Sequence, residues 1–353
     1  MPEDAAALRE VTLLSDGTVA VVAPAGPPAD AGPRQAVIRL RAGAVSTGTE
    51  TTMIRQRRAV PHAIDRPPTR LGYSAAGVVE AAGPDYAGPP PGTPVAVYGG
   101  PYVAHADRLV VGQNLIAPAP GLPPEEAAFG GIGAIALHAV RMGGVELGQR
   151  VGVLGLGVVG QLVAQLARAA GAWVLAADPL ASRRDVAARA LAAMGDGDAV
   201  VPLEEWRAAA ASLTGGAGLD AVLVCAGTPD DAGPALAGLE AVRFRGRVVI
   251  VGNVRPDLPR EPLFQKEATV VVSRAAGPGR YDAQYERDGY DLPPGVVPWT
   301  EGRNLRCFVD LLAAGRVRVG PLVSDVLPVE RAADAYERLM TRPEDTLALV
   351  LRF

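Results

Sequence analysis

The stretch "VGVLGLGVVGQLVAQLARAAGAWVLAAD", residues 151–178, constrains this chain more than any other. An apolar run leads into Gly155, Gly157 and Gly160 in a G-x-G-x-x-G spacing, and Leu162, Val163, Leu166 and Ala170 follow at helical intervals. A second apolar run ends on Asp178. Strand, glycine turn, helix and strand in that order predict a parallel βαβ unit. The three glycines have separate duties: a tight turn, room for backbone to approach a pyrophosphate, and close packing of helix on strand. The helix N-terminus then offers unpaired N–H groups to the phosphates. Asp178 is placed to accept ribose hydroxyls and would repel a 2′-phosphate, so NAD(H) is expected ahead of NADP(H). Arg183 and Arg184, just beyond, leave NADP(H) open as the second choice.

Six short apolar runs alternate with helical segments from residue 150 to 274: "VGVLGLG", "AWVLAAD", "DAVV", "LDAVLVCAG", "GRVVIVG" and "ATVVVSR". None alternates with period two, which marks strands buried on both faces of a parallel sheet with helices over them. The expected fold class is α/β, a doubly wound parallel sheet beside a β-rich domain. Residues 1–120, with runs such as "AVIRLRAGAVS" and "TPVAVYGG" broken by Gly and Pro, supply the β-rich part. A linking helix is expected in "PPEEAAFGGIGAIALHAVRMGG", with prolines and acids at its start. After a Gly-, Pro- and Tyr-rich interruption at 275–298, "RNLRCFVDLLAAGRV" and "VERAADAYERLM" read as amphipathic helices and "TLALVLRF" as a closing strand. This last part has no parallel-sheet rhythm and is expected to return to the first domain. The expected domains are 1–122 with 298–353, and 123–297. Cofactor contacts are expected from Gly155, Leu156, Gly157, Val158, Val159, Gly160, Asp178 and Arg183, and from Cys225, Ala226, Gly252 and Asn253 near the ends of the fourth and fifth runs.

Composition narrows the setting. Hydrophobic residues at 49% and charged residues at 20% of 353 positions suit two folded domains. A formal charge of −4 and no long basic tract argue against nucleic acid or an anionic membrane as partner. No run approaches the roughly 18–20 uncharged apolar residues of a membrane span. The start "MPEDAAALRE" lacks the regions of a signal peptide, and two cysteines cannot build a disulfide framework, so the cytoplasm is the expected compartment.

With these motifs in view, nearly the whole chain resembles the medium-chain dehydrogenase/reductase superfamily, whose members join a Rossmann domain to a β-rich GroES-like catalytic domain. "AVSTGTE", "LGYSAAGVV", "EEAAFGGIGAIALHAVR" and "SRAAGPGRYDAQYERDGYDLPPGVVPWTEGRNL" are similar to the dehydrogenase half of bi-domain oxidoreductases. The second domain of those proteins has no counterpart in these 353 residues, which leaves a separate oxidoreductase partner open. The resemblance implies a homodimer and a small-molecule alcohol or ketone as substrate, in sugar or natural-product chemistry.

The same resemblance sets zinc ligands near Thr47, at Tyr73 and Ser74, and close to Gly130. None of these is a good zinc ligand, and residues 81–120 contain no cysteine for a structural zinc lobe. His62, His105 and His138 with Cys225 and Cys307 offer no metal-ligand spacing, so no zinc is expected. Without a Lewis acid, a hydrogen-bonding side chain must steady the charge that develops on the reacting oxygen. Tyr73, Thr47 and Thr49 are the hydroxyl candidates that the resemblance suggests. His105 is the best imidazole, with a pKa range suited to proton transfer. Each has a plain structural alternative as a packed or satisfied side chain. Glu50, Tyr102, Arg274 and Arg280 are the expected substrate contacts, the arginines being able to grip carboxylate or phosphate. Three functions follow. The first is a zinc-independent NAD(H)-dependent alcohol dehydrogenase or ketoreductase acting on a small polar alcohol or ketone. The second is a reductase of an activated carbon–carbon double bond, and the third a nucleotide-binding partner protein without turnover.

Overall fold

All six apolar runs between residues 150 and 274 become strands of one parallel sheet. They are Arg150–Leu154, Trp173–Ala177, Ala199–Val201, Leu219–Val224, Val242–Ile250 and Thr269–Val272. In the sheet they lie in the order third, second, first, fourth, fifth, sixth, with every neighbouring pair parallel. The order reverses between the first and fourth strands, and the glycine turn stands at the carboxyl end of the first, where α/β sheets bind ligands. The computed structural model describes residues 8–24, 26, 30–60 and 66–353. Helix Val158–Ala169 buries Leu162, Val163 and Leu166, as the spacing requires. On the sheet's other layer, Trp206, Leu239, Val222 and Val248 share one apolar core.

The chain divides into two compact units. Gly133–Gly277 with Ala314–Leu322 form the nucleotide-fold unit; the described residues up to Ile132, with Pro278–Ala313 and Val323–Phe353, form the β-rich unit. In the β-rich unit the sheet runs Val323–Pro328, Ala348–Arg352, Gln35–Ala44, Ser74–Ala82, Pro94–Tyr98, Ile116–Pro118, and Arg108–Gly112 also pairs with Gln35–Ala44. Strand Gln35–Ala44 is paired with three others, which explains its nearly continuous apolar burial. A small three-stranded sheet, Val19–Val22, Glu10–Leu13 and Thr69–Arg70, packs with helix Ala332–Thr341 through Val11, Leu13, Ile54, Ala335 and Tyr336.

Three expectations are corrected. Residues 278–297 join the β-rich unit rather than the nucleotide unit, because long-range polar contacts tie them there. Asn114 Nδ2 donates to Tyr285 O at 2.9 Å, Gln113 Nε2 to Gly289 O at 2.8 Å, and Gln35 Nε2 to Arg287 O at 2.9 Å. The linking helix breaks after Ala127, and its main part, Gly130–Met142, starts in one unit and continues into the other. The closing region does contain a parallel pair, Val323–Pro328 with Ala348–Arg352. The first of these strands has mixed burial and a register shift, so it carries little apolar signal. His62 lies outside the described residues.

Candidate active site

The glycine turn has the steric demands expected of it. Gly155 has φ +92°, a conformation that disfavours side chains. A Cβ on Gly160 would stand 1.8 Å from Gly155 O, so helix and turn can touch only through glycine. A Cβ on Gly157 would meet nothing within 4 Å, leaving open space above the turn. Helix Val158–Ala169 has no side-chain cap, which leaves its first-turn N–H groups for an anion. Leu156 and Val158 bury their side chains and can offer only backbone. Cys225 and Ala226 follow directly on strand Leu219–Val224, and a Cβ on Gly252 would stand 2.0 Å from Ala226 O, so the two strand ends are in tight contact. Burial pushes the Cys225 thiol up to about 12, which makes it an inert packing group. Asn253 beside them is exposed.

Asp178 is 2% exposed, and it ties the turn together. Its Oδ2 accepts from Leu156 N–H at 2.7 Å and its Oδ1 from Leu180 N–H at 2.8 Å. Arg183 Nη1 is 3.8 Å from Oδ2. A carboxylate has about four acceptor positions, so the two amides leave capacity for a hydroxyl. Arg184 is committed, donating from Nη1 to Asp178 O and Pro179 O, both at 2.8 Å. These residues fit a dinucleotide: an open glycine cradle, free helix N–H groups and an oriented carboxylate.

In the β-rich unit, strand Gln35–Ala44 ends in the loop Val45–Gly48, and helix Thr49–Ala59 follows. Next to that loop stands Tyr73, partly buried at the start of strand Ser74–Ala82. Its hydroxyl donates to Ser46 Oγ at 2.8 Å. The ring meets Tyr98 edge-on, with centroids 6.1 Å apart at 81°. Burial first, and the Glu50 carboxylate next among the charges, push the Tyr73 hydroxyl up to about 12. Thr49 is exposed, its N–H reaches Ser46 Oγ at 3.3 Å, and its side chain also hydrogen-bonds Tyr73. Thr47 is partly buried, and its carbonyl accepts from Thr51 Oγ1 at 2.7 Å.

The remaining candidates are differently employed from what their residue types suggested. Glu50 is buried against Ser46, Tyr336 and His105, and His105 is fully buried, so both stand behind the Tyr73 hydroxyl rather than beside it. Tyr102 packs against the β-rich core. Arg274 is exposed and belongs to the nucleotide unit, whereas Arg280 belongs to the β-rich unit. Arg280 is not a free anion grip: it is paired with buried Glu286, donates to Gly100 O at 2.7 Å, and lies over the Tyr281 ring at 4.1 Å. Beside this pair is Glu301, 0% exposed, whose carboxyl is pushed up to about 9 by burial and by the neighbouring Glu286. Ser46, Tyr98 and Tyr336 complete the cluster and were not singled out by the sequence; Ser46 alone, inside the "VSTGTE" loop, carried a local signal.

The positions that the resemblance gives to zinc do not suit the metal. Ser74 is buried and donates to Ala128 O at 2.6 Å while accepting from Gly131 and Ile132 N–H at 3.0 and 3.3 Å. A Cβ at Gly130 would stand 2.9 Å from Ala96 Cβ and 3.0 Å from Leu305 Cδ1, so that position has no room for a ligand side chain. Among the described residues no group of three or more His, Cys, Asp or Glu could hold a metal ion.

A family model described as zinc-binding dehydrogenase matches residues 158–287. In this domain and in its fold the chain is similar to the medium-chain dehydrogenase/reductase superfamily. Among its relatives is 2-dehydro-3-deoxy-L-galactonate 5-dehydrogenase of Pseudoalteromonas atlantica, 27% identical over 62% of this chain and 55% of the relative. L-galactonate-5-dehydrogenase of Escherichia coli is 28% identical over 70% of this chain and 65% of the relative. The match thus spans less than two thirds of either relative. Galactitol-1-phosphate dehydrogenase from Escherichia coli has a similar fold across 98% of this chain and all of its own, with a TM-score of 0.76 at 19% identity.

Proposed function

We propose that this chain is an NAD(H)-dependent alcohol dehydrogenase or ketoreductase of the medium-chain superfamily that works without zinc. Its substrate would be a small polar alcohol or ketone of the sugar, cyclitol or natural-product kind. The observation that carries the reading is an intact dinucleotide cradle together with a phenol, Tyr73, where the resemblance sets a metal ligand. Relatives named as dehydrogenases of sugar acids support the polar substrate class. Bound nicotinamide supplies or takes up the hydride; the chain must steady the charge that develops on the substrate oxygen. With its hydroxyl pushed up to about 12, Tyr73 keeps its proton at neutral pH and serves as a hydrogen-bond donor. In that role it exchanges Ser46 Oγ for the substrate oxygen, and the exposed Thr49 hydroxyl is the second donor. The proposed setting is a cytoplasmic homodimer, a reading supported by the half-exposed edge strand Thr269–Val272.

Chelator-treated protein, assayed with NADH over a panel of ketoses, keto-sugar acids and inososes, is expected to keep its turnover while holding far less than one zinc per chain. Activity lost on chelation and restored by zinc overturns the metal-free reading. NADH binding without turnover anywhere on the panel overturns the enzyme reading.

A further inference from the structure

Behind the Tyr73 hydroxyl lies a buried polar pair to which the chemistry above gives no task. Glu50 is 2% exposed and His105 0%. Glu50 Oε2 accepts from Ser46 N–H at 2.8 Å and from the Tyr336 hydroxyl at 3.2 Å. Its Oε1 has no hydrogen-bond partner and lies 3.6 Å from His105 Nε2, and neither imidazole nitrogen has a hydrogen-bond partner. A buried carboxylate and a buried imidazole are each costly unless they satisfy one another, so the contact is one that the fold must enforce. The backbone is shaped for it. A Cβ on Gly43 would stand 2.3 Å from His105 Nδ1, and one on Gly72 would stand 2.7 Å from its Cγ. Two glycines from separate segments therefore form the seat of the imidazole. Gly72 directly precedes Tyr73, and Ser46, held by Glu50, accepts the Tyr73 hydroxyl. The pair thus reaches Tyr73 through its neighbours, Gly72 on the backbone side and Ser46 at the phenol.

We propose that Glu50, braced by His105, is the positioning residue of the Tyr73 hydroxyl: it fixes Ser46 against the phenol and keeps a carboxylate nearby, which holds Tyr73 as a proton donor. The proposal rests on the role given to Tyr73 above. The groups that face the phenol are Ser46, Thr49 and Glu50 from the loop and helix start, Tyr98 from strand Pro94–Tyr98, and Arg280 from the 278–300 segment. Tyr336, on helix Ala332–Thr341, faces Glu50. Glu50 is the anion of this set, and Arg280 is already paired with Glu286.

The test uses the whole chain labelled at tyrosine Cζ, with the Tyr73 NMR signal assigned by its loss in Tyr73→Phe. In the parent protein that signal should remain a neutral phenol at pH 10, well below its value of about 12. Glu50→Gln keeps an acceptor for Ser46 N–H and Tyr336 but removes the charge. It is expected to bring the titration of Tyr73 down by on the order of one pH unit. Coincident titrations in the two proteins overturn the proposal. If Glu50→Gln does not fold, Glu50→Asp keeps the charge but withdraws it from Ser46, and the Tyr73 signal should then move at neutral pH; an unmoved signal overturns the proposal equally. The spectra need no turnover, so full activity in Tyr73→Phe would sink the catalytic reading of Tyr73 and still leave this result readable.

Discussion

Ser74 brings one hydroxyl to three backbone groups at the start of helix Gly130–Met142. First-turn N–H groups have no partner inside their own helix, so the side chain that meets them is part of the helix's stability. Ser74→Ala leaves those buried groups unsatisfied and is expected to lower stability by about 1–3 kcal/mol. Urea unfolding checks this: the midpoint should fall with an unchanged slope. Tyr73→Phe separates chemistry from packing, because it keeps the edge-on contact with Tyr98 and removes only the hydroxyl. Its kcat should drop by about 100-fold or more, with a melting temperature close to the parent's. Unchanged kcat would return Tyr73 to the core. At this scale the sequence exposed Tyr73 and Ser74 by their departure from the metal-binding pattern. It could not expose Tyr98 or Tyr336, whose places beside the cluster come from strand Pro94–Tyr98 and helix Ala332–Thr341.

The glycine turn and its helix form the element that was most legible. Its requirements are local: a left-handed φ at Gly155, contact at Gly160, open space at Gly157. Asp178 closes the element by accepting Leu156 N–H, an orientation that leaves its remaining acceptor positions to a ribose. NADH is therefore expected to bind at least about tenfold more tightly than NADPH, a difference of about 1.4 kcal/mol. Calorimetry with both cofactors decides it, and the reverse order would shift the weight from Asp178 to Arg183. Lys266, the chain's single lysine, shows the opposite case. It donates to the carbonyls of Leu239, Glu240 and Val242, capping the end of helix Gly233–Ala241. Its sequence neighbourhood says nothing of this, because the helix it caps ends some 25 residues earlier.

On the scale of the whole molecule, the buried Arg280–Glu286–Glu301 group fastens residues 278–301 into the β-rich unit. Burial and the Glu286 carboxylate raise Glu301 from 4.5 to about 9, so the folded chain holds a proton that the unfolded chain releases. Below about pH 4.5 this carboxyl costs nothing; as pH rises toward about 9 stability falls, by at most about 1.4 kcal/mol per pH unit. Glu301→Gln cannot ionise and still offers an N–H toward Glu286. The variant should match the parent's melting temperature near pH 5 and exceed it increasingly up to pH 9. Parallel curves would mean that Glu301 is already ionised in the folded state. The sequence by itself determined the six parallel strands, the nucleotide turn and the two-part organisation. Those follow from hydrophobic period and from steric demands met within a few residues. Only the tertiary structure decided that 278–297 belongs to the β-rich unit, that Val323–Pro328 pairs parallel with Ala348–Arg352, that Arg280 is neutralised, and that Glu50 and His105 stand behind Tyr73. Each of these depends on burial, and burial is set by partners that lie far apart in the chain.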